Sequence, residues 1–259
     1  METFPVNELK LYLGDEIKIT DGIIVKSPTI GQIAEYGEAE YFSMAQTLCA
    51  TPSSMKVALD DMKLDWMQVT DFQLFMMLCQ SLKPEQTSIL LGDLDLSSLK
   101  PYSMQEGEEV ILSNEDNSIV ISEMIYEILV NYLRKIHGFK KQVDKAGNDI
   151  TKMMLIKIAR DDAKKAADKP YKSFLRPLIS AVKCRMGYTM DYVKNMGLFE
   201  FFDDLSRLGV IVQADAAING QFSGFCDTSK MPKEIFDWTR DISEDTNKNN
   251  KTILKEGAN

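Results

Sequence analysis

Residues 60–82 read DDMKLDWMQVTDFQLFMMLCQSL: four aspartates, one tryptophan and two phenylalanines in a single run. Trp66, Val69, Phe72, Phe75, Met76 and Cys79 recur mostly every three or four residues. That spacing places side chains on one face of an α-helix. Thr70 or Asp71 can cap a helix running through Gln80, and acids in a first turn suit the positive end of the helix dipole. Asp60 and Asp61 are expected to close the preceding helix, and Asp65 to lie in the loop before Trp66. The acids are therefore accounted for without chemistry, since no histidine or glutamate lies within the stretch to complete a metal or acid–base set. Trp66, Phe72 and Phe75 are expected to build a large helical contact surface, facing a partner or closing a private core.

Helical spacing extends on both sides. TIGQIAEYGEAEYFSMAQTLCA is capped by Thr29, with Ile30, Ile33, Ala34, Tyr41, Met44, Ala45 and Leu48 as its stripe. Gly31 and Gly37 weaken that helix. Thr51-Pro52-Ser53 ends it and starts another, with Met55, Ala58, Leu59 and Met62 predicted inward. SEMIYEILVNYLRKIHGF, capped by Ser122 and ended by Gly138, has the clearest helical period. Asn148-Asp149 favours a turn. MMLIKIARDDAKKAADK then settles into a helix ending near Lys169, before Pro170. Pro177 bends or interrupts the next segment, whose strongest part spans 177–186 with Leu178, Ile179, Val182 and Met186 inward. Thr189 caps a helix starting at Met190 and Val193. Phe199, Phe202, Leu205 and Leu208 continue a second stripe, with Gly197 and Gly209 as boundaries. Pro232, Ile235 and Trp238 anchor a short last helix.

Two regions break this period. NELKLYLGDEIKITDGIIVKSP alternates at Lys10–Tyr12 and Ile17–Ile19 between the turn signals LGD and TDG, which predicts an extended N-terminal arm or edge hairpin. Residues 87–122 carry short β-branched and leucine-rich runs broken by Pro101, Gly107 and 114–117. They predict antiparallel strands near 88–91, 109–112 and 118–121. The expected organisation is an arm over 1–28, a helical region over 29–86, a small β insertion over 87–122, a second helical region over 123–240 and a mobile polar tail over 241–259. The fold class is mainly α-helical, with a small antiparallel β insertion.

The 259 residues are 44% apolar, enough for a substantial core, and carry a net charge of −9. The most basic run, RDDAKKAADKPYKSFLR, is interrupted by three aspartates, which argues against the concentrated footprint of a nucleic-acid binder. No apolar run approaches the roughly 20 residues that cross a bilayer, and the N-terminus lacks a signal-peptide pattern. Cys49, Cys79, Cys184 and Cys226 have no zinc-site spacing. An intracellular setting is expected. Fifteen methionines suit either a soft core or surfaces that adapt to partners.

No phosphate-loop, dinucleotide, zinc-protease or nucleophile-elbow motif occurs. The single histidine, His137, sits at a predicted helix C-terminus, where it can meet a terminal carbonyl or offset the dipole. Asp93 and Asp95 in GDLDL fall on one side of an expected strand, a spacing that suits a divalent cation as well as a solvent-facing edge. No catalytic, cofactor or metal residue is assigned. The residues offered for protein interaction are Trp66, Phe72, Phe75, Phe199, Phe201, Phe202 and Trp238; the two adjacent phenylalanines of FEFFDD cannot both be buried against one neighbour.

The run from Ile30 to Leu82, with VNYLRKIHGFKK, DKPYKSFLRPLISAV and INGQFSGFCDTSKMPKEIFDW, resembles helical tail-assembly proteins of bacteriophages of Gram-positive hosts, over roughly residues 28–240. The resemblance implies a non-enzymatic factor of the host cytoplasm that holds or organises a tail tube, tape-measure or baseplate protein. Two other readings stand beside it: a permanent component of the virion tail, and a divalent-metal hydrolase using surface carboxylates. The partner it implies is a phage tail protein; self-association is kept open as a further contact, and the composition argues for no nucleic acid and no membrane as partners.

Overall fold

The computed structural model describes residues 6–103, 110–167, 169–223 and 231–242. Gly107, Gly224, Cys226 and the tail from residue 243 lie outside them. Helix makes up 59% and strand 8% of the described residues, so the chain is mainly α-helical with small antiparallel sheets. It forms two compact units, Met1–Glu200 and Phe201–Asn259.

The first unit opens with a short helix, α1 (Glu8–Tyr12), and an antiparallel hairpin, β1 (Ile17–Thr20) and β2 (Ile23–Val25). Helices α2 (Ile30–Tyr36), α3 (Glu38–Leu48), α4 (Lys56–Asp61), α5 (Asp71–Cys79) and α6 (Pro84–Leu91) follow. A three-stranded antiparallel meander comes next: β3 (Lys100–Tyr102), β4 (Ile111–Ser113) and β5 (Val120–Ile121), in that order across the sheet. Helices α7 (Glu123–His137), α8 (Asp149–Ala167), α9 (Leu175–Met186) and α10 (Met190–Asn195) complete the unit, apart from the start of α11 (Leu198–Ser223).

α7 is the centre of this unit. Tyr126, Leu129, Val130, Leu133 and Ile136 are all buried at helical spacing, and the helix packs against α3, α5, β1, β2 and β5. The Ser122 hydroxyl accepts from the Ile125 N–H at its start, and Gly138 ends it in the left-handed region at φ 64°. The Phe72 and Phe75 rings lie 5.4 and 4.8 Å from that of Tyr126. Burying one such side chain is worth about 1.5–3 kcal/mol.

The local signals that held are mostly caps. Thr29 and Thr70 both form reciprocal capping boxes, with Gln32 and Gln73, and Thr189 caps α10. The expected helix over 30–48 is broken into α2 and α3 at Gly37. There φ is 102° and an added Cβ would meet the Glu40 carboxylate at 2.5 Å. Gly31 is a packing glycine: its Cβ would sit 2.9 Å from the Lys194 carbonyl oxygen, so the close approach of α10 to α2 at this point needs a residue without a side chain.

Several expectations are corrected. Residues 88–91 are the end of α6, not a strand. Pro84 at its first position and Gly92 at its C-cap outweigh the β-like run SILL. The sheet is therefore confined to 100–121. Lys10–Tyr12 is helical because the Asn7 side chain accepts from the Lys10 N–H. The hairpin is no outlying arm either, since Ile17, Ile23 and Val25 are buried and β1 and β2 pack on α7. On α4 the buried positions are Lys56 and Leu59, while Ala58 and Met62 face solvent. Met186 is also exposed.

In the second unit, α11 continues to Ser223 and a 3-10 turn spans Lys233–Phe236. Arg207 Nη1 donates to the carbonyls of Trp238 and Arg240, each at 2.8 Å, and Arg240 Nη2 donates to Gln213 Oε1 at 2.8 Å. These bonds fold the 231–242 segment back onto α11. Gly209, expected as a boundary, lies inside that helix, and beyond the helix's own backbone nothing comes within 4 Å of where a Cβ would be. A mid-helix glycine costs about 0.5–1 kcal/mol against alanine. Gly209→Ala is therefore expected to raise the unfolding free energy by that amount, read as a higher denaturant midpoint at unchanged m; a lowered midpoint would contradict a continuous, open helix here.

Candidate protein-interaction surface

Each of the four aspartates between 60 and 71 meets a cation from residues 141–160. Asp60 and Asp61 accept from Arg160 at 3.0 and 2.7 Å, Asp65 pairs with Lys152 at 2.5 Å, and Asp71 pairs with Lys141 at 2.6 Å. The Lys152 ammonium beside Asp65 holds its carboxyl below the usual carboxylate range, helped by the Met67 N–H. Beside this row, the buried Lys56 pairs with Asp144 at 2.5 Å and donates to the Ser53 carbonyl at 3.0 Å. Ser53 Oγ accepts from the Asp144 N–H at 2.9 Å. The acidic stretch is thus a set of ties that fastens the 141–160 segment to α4 and α5.

The ties determine which way α8 faces. Lys152, Ile156 and Arg160 are four apart and share its inner side, where Ile156 joins Ala50, Leu59, Trp66 and Leu74 in one cluster. Ile150, Met154 and Ile158 are also four apart but offset by two residues, so at about 3.6 residues per turn they face nearly the opposite way. Ile150, Met153, Met154 and Ile158 are 80, 70, 62 and 47% exposed, an apolar row on solvent. The loop between α4 and α5 adds Met62, Leu64 and Met67, at 59, 38 and 44%. Met77, Met124, Met186, Met190 and Met231 are exposed as well, whereas Met44 and Met196 are buried. Methionine in this chain mostly coats the surface rather than softening the core.

The aromatic residues expected to carry the contacts are placed otherwise. Trp66, Phe72, Phe75, Phe199 and Phe201 are buried, and Phe202 is half-buried with its ring 5.8 Å from that of Phe201. Only Trp238 of that set is well exposed. Trp66, Phe72 and Phe75 close the interior against the cluster above and Tyr126, so they cannot present their faces to a partner while the fold persists. The same 60–82 stretch instead offers Met62, Leu64, Met67 and Met77, which its periodicity did not single out.

The polar candidates resolve into structural roles. Asp95 caps a 3-10 turn at Leu96–Ser98, accepting from the Ser97 N–H at 2.9 Å and the Ser97 hydroxyl at 2.6 Å; Asp93 lies just before it, on no strand. Among the described residues no three of the His, Cys, Asp and Glu side chains gather where they could hold a metal ion, and no helix is long and apolar enough to cross a membrane. A cleft of about 520 Å³ lies between the end of α3, the turn before α4 and the segment after α7, with Ser43, Thr47, Cys49, Thr51, Lys140 and Gln142 in its walls. Burial pushes the Cys49 thiol up to about 12, so it is not a thiolate at neutral pH. Searched against protein-family models, curated proteins and solved structures, the chain matches none.

His137 does meet a carbonyl of its own last turn, but without offsetting the dipole. Its Nδ1 lies 2.6 Å from the Leu133 carbonyl, which can only accept, so Nδ1 carries the proton and Nε2 accepts from the Tyr41 hydroxyl at 2.6 Å. Burial lowers its pKa to about 4 despite the Leu133 carbonyl, so the ring is neutral in the fold. The unfolded chain, with an ordinary histidine near 6.5, binds the proton first as pH falls. This contribution is complete above that value and is lost on the way down to the folded value. It amounts to about 2 kcal/mol between pH 7 and 5. Urea unfolding at the two pH values is expected to show that loss, and His137→Gln to remove most of the difference. An unchanged slope in the variant would show that other groups dominate.

Proposed function

We propose that this chain is a non-catalytic assembly factor that holds an apolar segment of another protein against its methionine-bearing surface. The observation that carries the reading is the exposed trio Met62, Leu64 and Met67 on a loop anchored at its start by Asp60 and Asp61 to Arg160, in its middle by Asp65 to Lys152 and at its end by Asp71 to Lys141. The unbranched, polarizable side chains of Met62 and Met67 on a fixed loop adapt to different apolar partners at little cost in backbone ordering. The likeness of the sequence to phage tail-assembly proteins supplies the class of partner: a tail tube, tape-measure or baseplate protein, met in the host cytoplasm. Retention in the finished tail is the alternative, distinguished by quantifying the chain in purified particles.

The test is co-expression with candidate tail proteins followed by size-exclusion chromatography and mass spectrometry. The wild-type chain is expected to co-elute with one of them. Met62→Glu with Met67→Glu is expected to weaken that complex at least about tenfold, as losing an interface anchor does. Thermal unfolding is expected to stay close to wild type, because both positions are on the surface. Capture that survives the double substitution places the contact elsewhere, and no capture by any tail protein ends the reading.

A further inference from the structure

We infer that α8 pairs antiparallel with α8 of a second copy of this chain, along the row Ile150, Met154 and Ile158. The row is a single file of apolar residues four apart on the face turned away from the body. It is also symmetric about Met154. A two-fold axis through Met154 sets Ile150 against Ile158 of the second copy and Met154 against its own counterpart, the self-complementary arrangement of an isologous contact. Met153 widens the row on one side.

The charges around the row select the antiparallel direction. Asp161 continues the row beyond Ile158, at the end away from the helix start. In the antiparallel pair it faces the first turn of α8 in the second copy, whose N–H groups carry partial positive charge. Lys157, beside the row, comes within about one turn of Asp149 of the second copy. A parallel pair would instead set Lys157 beside Lys157 and Asp161 beside Asp161, which repel. The inner side of α8 is occupied by its ties to Asp60, Asp61 and Asp65, so the row has no inward alternative. A seam of one helix per copy falls at the small end of specific interfaces, below or near about 1,000 Å². The dimer is therefore expected to be concentration-dependent rather than obligate. The pairing uses α8 alone, so it stands or falls separately from capture of a tail protein by the 62–67 loop.

Sedimentation of the full chain from micromolar to submillimolar concentration tests the pairing. Wild type is expected to shift from monomer to dimer. Met154→Glu is expected to raise the dissociation constant at least about tenfold, with thermal unfolding unchanged. Cysteine cross-linking tests the direction, with the linked peptides identified by mass spectrometry. Met154→Cys should link to its own counterpart, and Ile150→Cys should link to Ile158→Cys in a mixture but not to itself. A monomer at every concentration, a dimer indifferent to Met154→Glu, or Ile150→Cys linking preferentially to itself would each overturn the proposal.

Discussion

The ties between the aspartates of residues 60–71 and the cations of residues 141–160 are the constraint on which the outer surface of the first unit depends. α8 has little else to hold it, since Ile156 is its one buried residue. A helix with apolar residues on two sides could dock by either. Lys152 and Arg160 flank Ile156 on the same side, and their aspartate partners are fixed by α4 and by the loop that follows it. An exposed ion pair contributes about 1 kcal/mol or less. Several acting together on one helix still decide its rotation, because turning the helix over would leave all of them unpaired. The apolar row of Ile150, Met154 and Ile158 is left outside as the consequence.

The interior has the opposite logic. Phe72, Phe75 and Tyr126 pack ring against ring across α5 and α7, and Tyr41, Phe42 and Phe139 surround His137. These buried rings fix the interior, while most of the described methionines lie on the surface. A surface of this kind pays little ordering entropy in its backbone, because the loop and helix that carry it are already held. The one histidine is neutral and sealed in, and burial raises the Cys49 thiol out of the range of a nucleophile.

What was legible in the sequence was local. Thr29, Thr70, Ser122 and Thr189 could be read as caps because a cap needs only the next three residues. The helical class followed from α7, whose period is uninterrupted. The run SILL misled because β-branched and leucine-rich residues fit a strand or a buried helix equally; Pro84 and Gly92, at its two ends, were the better guide. The aspartate ties were not legible, since Asp60 and Arg160 are one hundred residues apart and nothing in either neighbourhood names the other. For the same reason Trp66, Phe72 and Phe75 looked like a contact surface. Periodicity identifies an apolar face but not what covers it. The exposed row of α8 was hidden by a second apolar position, Ile156, which blurred its period.

The outward rotation of α8 is the claim from which its exposed apolar row and the pairing of two copies follow. Methionine oxidation footprinting of the dilute, monomeric chain, read peptide by peptide by mass spectrometry, tests it most directly. With α8 rotated as described, Met153 and Met154 oxidise as fast as Met62 and Met67, while Met44 and Met196 remain protected. Protection of Met153 and Met154 to the level of Met44 would mean that the row faces inward, and would contradict the account.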